Sequence, residues 1–530
     1  MKSFFKLIVG RFFWFGLIVV LEIFAVVLLI AFSATILNAF VARNQTNVLI
    51  AMLVVTIVLD FIAKIFFSVY IINTKVNHQY KITWLIVVNS LIILGMVLYA
   101  MFGNKNATKK TAKKLDPIKN STIYLPLSEE KIEQIKRLDG GDVALDVAKY
   151  LQKNSQASFS DETETTFYDS GEDVFPVMLQ ELQKAEHYIF IQYFIIGPGK
   201  FWDPILDILK YKAQHGVDVR VIYDDIGSIS LVPSNYPKIL QEMGIKCFAY
   251  EKFRPFINTK MNNRDHRKMM IIDGYIAFTG GINIADEYIN VYQRFGYWKD
   301  NAIRIKGKAV YSFTTSFLGV WCSSQGNISE IKEAKYAYNF HTDNRYMSDG
   351  YVQHYGDTPY QDESIGETVY IKLIYSATKS VHISTPYFIV SDELLSAIVD
   401  AARRGVDVTL LTPGIPDKKL VWQVTRSFYK PLLDAGAKVY EYTPGFNHEK
   451  VLIVDDTHAT IGSLNFDFRS LYLNLENCLY LFKCECIKEM KESLYNSMAK
   501  SKRITPEIYK KMQRKSWLLW AFMKIFAPLM

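Results

Sequence analysis

Three apolar runs open the chain, about Phe12 to Leu37, Val48 to Ile72 and Trp84 to Phe102. Each is long enough to cross a hydrocarbon core of about 30 Å as a helix. A cleaved signal peptide does not fit the first run, which is too long and is followed by two more. Residues 1–103 therefore read as a transmembrane region of two or three helices. From 104 to 160 the pattern changes to KKTAKK, then SEEKIEQIKRL, then SQASFSDETETT. That order reads as a basic juxtamembrane segment able to hold anionic headgroups, short helices, and a polar link.

Beyond it, short β-branched and apolar runs alternate with amphipathic stretches, and the alternation occurs twice. AEHYIFIQYFIIGPG corresponds to KSVHISTPYFIVSDE, and AQHGVDVRVIYDD to ARRGVDVTLLTPG, aligning Gly216 with Gly405. Each half reads strand, helix, Gly-Val-Asp-Val strand, helix, hairpin, which predicts an α/β domain with a central sheet, made twice. The halves run from 161 to 330 and from 345 to 500. Between them a polar, aromatic stretch from Asn327 to Pro359 reads as a loop near the cleft. The tail, 501–530, turns basic and ends SWLLWAFMKIFAPLM. Trp517 and Trp520 beside a basic run predict a helix in the membrane interface, the alternative being a helix packed on the protein's own core.

The hairpins carry the chemistry. His266, Lys268 and Asp273 form a His-x-Lys-x4-Asp pattern, followed by Gly280, Gly281 and Asn283; His448, Lys450 and Asp455 repeat it, followed by Gly462, Ser463 and Asn465. MMIID and VLIVD are strand-forming, so the His and Lys of each copy, two apart, share a face. Each Asp falls at the opposite parity and reads as a supporting residue. Gly280 and Gly462 would let backbone approach a ligand closely, with Asn283 and Asn465 as donors. Two copies face to face place two imidazoles, two ammonium groups and two amides around one volume. That set suits a phosphodiester: one His attacks phosphorus, the other protonates the leaving oxygen, and Lys and Asn hold the phosphate charge.

Charge and cysteines narrow the picture. The net charge of +8 over 530 residues favours anionic partners. Five cysteines, odd in number and without metal-ligand spacing, give neither a disulfide framework nor a zinc site. The lysines flanking the apolar runs vote in conflicting directions, and the largest cluster, Lys105 to Lys114, favours a cytoplasmic catalytic region. Asp60 and Lys64, four apart in the second run, read as a neutralised pair holding helices together.

With the paired motifs in view, the chain resembles the phospholipase D superfamily, and specifically the bacterial cardiolipin synthases of that type. The resemblance rests on NNRDHRKMMIIDGYIAFTGGINIADEY and WKDNAIRIKG in the first half. In the second it rests on STPYFIVSDELL, GVDVTLLTPGIPDKKLV and the stretch from FNHEKVLIVDD to GSLNFDFRSLYLNLE. It implies a membrane protein with N-terminal transmembrane helices and two repeated α/β domains forming a pseudo-two-fold catalytic unit. It implies His266 as nucleophile through a phosphatidyl-histidine, His448 as acid and then base, and the reverse assignment stays open. Lys268, Lys450, Asn283, Asn465, Gly280, Gly462 and Ser463 would hold phosphate, while Asp273 and Asp455 orient the site. The reaction implied is phosphatidyl transfer between two phosphatidylglycerol molecules, giving cardiolipin and glycerol with no metal or cofactor, in a multi-pass protein of the bacterial cell membrane. Its partners would be phosphatidylglycerol, other anionic phospholipids and the membrane, with no nucleic acid. Two departures stand out: Asp265 where the family commonly has asparagine, and Gln192 where a glutamate is usual.

Three other readings share parts of this pattern. A phospholipase D hydrolase or a transferase to another alcohol would use the same motifs. A nuclease would use the same chemistry but gains little from the apolar runs. A membrane scaffold has no use for both complete His-Lys-Asn sets.

Overall fold

The computed structural model describes residues 46–74, 76–90, 94–103, 126–155, 157–252, 263–325, 330, 333, 336, 349–361 and 363–529. The chain divides into two compact units, Met1–Lys105 with Phe253–Met261, and Asn106–Lys252 with Asn262–Met530.

In the first unit the second apolar run is one continuous helix, Thr46–Ile72. Its segment Ile50–Ile72 spans 23 residues, about 34 Å at about 1.5 Å per residue, and it alone among the described residues is long and apolar enough to cross a membrane. The third run is not one helix: its described part is divided among His78–Ser90, Leu94–Leu98 and a π-helical turn, Tyr99–Gly103. Tyr99 gathers these pieces edge-on, 5.3 Å from Trp84, 6.3 Å from Phe67 and 6.2 Å from Tyr70 by ring centroids. Asp60 and Lys64 pair at 2.9 Å within one helix, so the charge is neutralised there. The first run, Phe12 to Leu37, and the lysines from 105 to 114 lie outside the described residues.

The second unit is built twice. The first half's sheet runs β1 (Thr163–Tyr168), β8 (Ala302–Gly307), β6 (Ile276–Gly280), β5 (Lys268–Ile272), β2 (Tyr188–Tyr193), β3 (Asp218–Asp224), β4 (Lys246–Tyr250). The second runs β9 (Tyr351–Asp357), β18 (Glu476–Phe482), β16 (His458–Gly462), β15 (Val451–Val454), β10 (Ser380–Ser384), β12 (Asp407–Pro413), β13 (Lys438–Tyr442), with β19 (Ser501–Ile504) added at the edge. Strand for strand the orders match. In both, three parallel strands meet an antiparallel motif hairpin, so the sheets are mixed.

Period-two alternation decides which side each residue serves. Met269 and Ile271 of β5 share one buried cluster with Val451 and Ile453 of β15, so the sheets pack face to face. Met270 and Ile272 turn outward to a cluster with the helix Trp202–Gln214, as Leu452 and Val454 do with Asp392–Arg403. Those helices present Trp202, Ile205, Leu209 and Leu394, Ala397, Ile398, Ala401 at helical spacing. Ser391 caps the second by accepting from Leu394 N–H at 3.1 Å. The Gly-Val-Asp-Val turns need Gly216 and Gly405, each at φ +89°.

Two stretches differ from the sequence reading. The polar link is not solvated at its end: Ala157 and Phe159 are buried, and Phe159 stacks on Tyr480 at 5.9 Å. The preceding helix, Gly141–Ser155, buries Leu145, Val147 and Leu151 in the second half's core. The C-terminal helix, Pro506–Phe526, packs one face on that core, with Trp520 Nε1 donating to Gln423 Oε1 at 2.8 Å. Its other face leaves Trp517, Leu518 and Phe522 exposed. Of the two tryptophans, Trp520 is therefore buried on the core and Trp517 exposed.

Candidate active site

The motif strands start where the parallel strands end. Lys268 pairs with Tyr193 at the carboxyl end of β2, and Val451 with Ser384 at the carboxyl end of β10. That end of an α/β sheet is where ligands commonly bind. His266 and His448 lie just before their strands, both buried. Each lysine folds back along its own strand: Lys268 Nζ donates to the His266 carbonyl at 2.6 Å, and Lys450 Nζ to the His448 carbonyl.

Each histidine is held by the opposite half. His266 N–H donates to the Leu475 carbonyl at 2.9 Å, and His448 N–H to the Lys299 carbonyl at 2.7 Å. The second contact extends a parallel pairing of β7 (Tyr297–Lys299) with β14 (Gly445–Asn447), while β11 (Phe388–Ile389) and β17 (Phe466–Asp467) pair within the second half. The residue after each contact is a carboxylate aimed at the ring. His266 Nδ1 lies 2.9 Å from both oxygens of Glu476, and His448 Nδ1 lies 2.7 Å from Asp300 Oδ2. Glu476 also accepts from Ser463 Oγ and from Asn474 Nδ2 at 3.2 Å. An ionised carboxylate can only accept, so Nδ1 carries the hydrogen and Nε2 keeps its lone pair.

Burial and mutual charge set the protonation states. Both imidazoles are pushed well below their ordinary pKa, first by burial and then by Lys268 and Lys450, so they rest neutral. Burial brings Lys268 down to about 7 and Lys450 to about 8, each opposed by Glu476 and Asp300. The same burial raises both carboxylates to about 7, opposed by Lys268 at Glu476 and by Lys450 at Asp300. His448 feels Lys268 and His266, and His266 feels Lys450, so the two motifs occupy one electrostatic volume. Such a volume is built for an anion with a group to attack and a group to protonate.

Other motif residues sit differently. Asp273 and Asp455 stand at the far ends of β5 and β15 and do not reach the histidines. Asp273 accepts backbone N–H from Glu186, His187 and Tyr188 at 2.8, 2.8 and 2.7 Å. Asp455 accepts from Thr378, Lys379 and Ser380 at 2.7, 2.7 and 2.8 Å. They fasten the entry to β2 and β10 rather than orient the reacting groups. Gly280 and Gly462 admit the neighbouring strand rather than a ligand, since a Cβ there would fall 2.4 Å from the Asn301 carbonyl oxygen and 2.3 Å from that of Asn477. Asn283 accepts from Ile195 N–H at 3.1 Å and donates to Tyr288 Oη at 2.7 Å, and the Tyr288 ring lies 5.7 Å from that of His448. Asn465 keeps a buried Oδ1 with no hydrogen-bond partner among the described residues.

The two departures in the first half answer each other. Gln192 Nε2 donates to Asp265 Oδ2, and Arg267 Nε donates to Asp265 Oδ1 at 2.9 Å. The charge beside His266 is thus matched by its own neighbour. By register Ser384 takes Gln192's place, and there Asn447 Nδ2 donates to Ser384 Oγ at 2.9 Å.

Asp300 and Glu476 went unassigned from sequence. A signal existed: each is followed by asparagine, Asp300-Asn301 and Glu476-Asn477, one such pair per half. The halves also differ here, because a Cβ on Gly281 would strike the Asp300 carboxylate at 2.0 Å, whereas its counterpart Ser463 bonds to Glu476.

Against known proteins, a family model described as cardiolipin synthase, PLD-like domain, matches residues 178–321 and 370–498. An uncharacterized protein of Streptococcus mutans is 38% identical over 87% of this chain and 99% of its own length. A cardiolipin synthase of Alkalihalophilus pseudofirmus is 33% identical over 90% of this chain and 94% of its own. Among solved structures, the phosphatidylserine synthase of Haemophilus influenzae superposes with a TM-score of 0.51 at 15% identity, over 73% of this chain and 99% of that one, which speaks for the fold.

Proposed function

The chain belongs to the cardiolipin synthase family of phospholipase D-like proteins, and from that premise we propose that it joins two phosphatidylglycerol molecules into cardiolipin, releasing glycerol. The observation that carries this reading is the pair of buried neutral histidines, each with its Nδ1 hydrogen on a carboxylate from the opposite half.

His266 Nε2 attacks the phosphorus of the first phosphatidylglycerol, and the phosphorus–oxygen bond to glycerol breaks. His448 enters this step as imidazolium and gives its Nε2 proton to the departing glycerol oxygen. Binding of the phosphodiester anion offsets the lysine charges that hold His448 neutral at rest, which lets it take up that proton. The phosphorylated ring of His266 is positive, and Glu476 stabilises it. A hydroxyl of the second phosphatidylglycerol then loses its proton to His448, attacks phosphorus and frees His266. Lys268 and Lys450 hold the non-bridging oxygens throughout. The fuller support of His266, with both Glu476 oxygens at 2.9 Å, favours it as the ring that bears the phosphoryl group.

The same reading makes this a bacterial cell-membrane enzyme with a cytoplasmic catalytic unit. Thr46–Ile72 is one span, and the apolar run at Phe12–Leu37 has the sequence of a second. Full-length protein in detergent, given labelled phosphatidylglycerol and no added metal, is expected to release cardiolipin and glycerol in equal amounts. Phosphatidic acid alone would make it a hydrolase.

A further inference from the structure

Exposed apolar side chains in the catalytic unit are not spread evenly. Leu231 follows β3, Ile415 and Leu420 follow β12, and Val291 and Tyr292 follow the short helix Asp286–Ile289 beyond β6. Every one of these segments leaves the sheets at the carboxyl ends of β2, β3, β10 and β12, the end that holds the histidines. At the opposite end Leu138 is exposed as a single apolar side chain, and the other large exposed side chains there, Tyr211 and Tyr375, carry a polar hydroxyl.

Named contacts tie these segments to the mouth of the site. Tyr292 stands two residues beyond Asn290, a left-handed residue (φ 54°) whose side chain accepts from Trp298 N–H at 2.7 Å and donates to the Trp298 carbonyl at 3.1 Å. The Trp298 ring lies 5.3 Å from that of His448. Leu420 stands two residues beyond Lys418, whose Nζ is 3.3 Å from Tyr387 Oη. Tyr387 packs on Phe446 at 6.5 Å, and Phe446 on His448 at 5.6 Å. Leu231 lies over Gly197, where a Cβ would fall 2.9 Å from its Cδ1, beside the segment that binds Asn283.

Cations stand among these side chains: Arg294, Lys418 and Lys419 are exposed. Of the nearby acids, Asp417 is engaged by Tyr387 Oη at 2.5 Å, and burial pushes the Glu287 carboxyl up, toward its neutral form, against the charge of Arg294. The C-terminal helix, anchored on the helix Lys419–Ser427 through Trp520 and Gln423, adds Trp517, Leu518 and Phe522 to the exposed apolar surface. Apolar tips interleaved with cations match the headgroup–acyl boundary of an anionic bilayer. A protein partner seated there would close the opening it surrounds.

We propose that these loops, Leu231, Val291–Tyr292 and Ile415–Leu420, form a membrane-docking rim that seats the active-site mouth on an anionic bilayer, so that phospholipid enters without crossing water. The substrate class rests on the function proposed above; the docking geometry does not.

The test uses full-length protein in nanodiscs of phosphatidylglycerol and phosphatidylcholine with brominated acyl chains. The native cysteines described are all buried, so a polarity-sensitive dye reports Leu420→Cys, Tyr292→Cys or, as the control, Tyr211→Cys. Strong quenching at 420 and 292 with none at 211 is expected; equal quenching at all three, or none at 420 and 292, overturns the proposal. In the functional arm, Val291→Glu with Leu420→Glu is expected to slow turnover of bilayer phosphatidylglycerol about tenfold or more. Turnover of monomeric dihexanoyl-phosphatidylglycerol should stay within about twofold, and an equal loss on both substrates contradicts docking. If unmodified protein turns over neither substrate, the enzymatic reading fails while the quenching result stands by itself.

Discussion

Alanine at position 266 is expected to lower phosphatidyl transfer by at least about 10⁴-fold, the scale seen when a covalent nucleophile is removed. The substitution leaves the surrounding charge in place, because Lys268 is anchored on the backbone carbonyl of residue 266 and not on its ring. Arg267 and Gln192 still satisfy Asp265, and the backbone N–H still pairs with Leu475. What disappears is the lone pair that makes the bond to phosphorus. His448→Ala should differ in kind, losing about 10²–10⁴-fold as a general acid and base does. A phosphatidyl ester of p-nitrophenol separates the two roles, since its leaving group needs no proton. The His448→Ala protein should then release a burst of nitrophenol equal to the enzyme present and stall, while His266→Ala gives none. A burst from His266→Ala instead would exchange the roles.

Glu476→Gln is expected to cost about 10²–10⁴-fold in kcat, with KM for phosphatidylglycerol little changed. Glu476 touches no substrate in the proposed mechanism; it is a positioning residue that fixes the His266 tautomer from the opposite half. An amide in its place must accept from Nδ1 with one atom and offer hydrogens with the other, in a site already supplied with donors by Ser463 and Asn474. The pH profile separates this role from a purely structural one. Below about 7, Glu476 and Asp300 gain protons and cease to be charged acceptors for the Nδ1 hydrogens, so the rate falls on the acid side. Above about 7 and about 8, Lys268 and Lys450 lose charge, so KM rises on the alkaline side. With glutamine at 476 the acid limb should lose one of its two protons, falling from a slope of about two to about one. A glutamine variant with a wild-type profile would reduce Glu476 to packing.

How far the sequence could be read depends on the range of the forces involved. The repeated α/β pattern and the His-x-Lys strands are local: apolar runs select the strand, and period two puts His266 with Lys268 and His448 with Lys450. Parity also separates Asp273 and Asp455 from the reacting groups, and the structure places them at the far strand ends, holding backbone N–H groups. Asp300 and Glu476 are different. Their meaning arises only when each half lays its own segment against the other's histidine, and no local period reports a contact between residues 266 and 476. Gly280 and Gly462 mislead for a related reason, because glycine marks close approach without saying what approaches. The C-terminal helix satisfies two apolar surfaces at once, Trp520 inward and Trp517 outward, so a single-face reading captures one of them. Span number is a further limit, since one helix among the described residues has the length and apolarity to cross.

Everything proposed for the chemistry requires both histidines to address one phosphorus. The most direct measurement is a structure of the full-length protein with orthovanadate, which adopts the five-coordinate geometry of the transferring phosphoryl group. One vanadium bonded to His266 Nε2, with His448 Nε2 within about 3 Å of the opposite apical oxygen, is the expected result. Two vanadates in separate pockets, each held by one half alone, would contradict it.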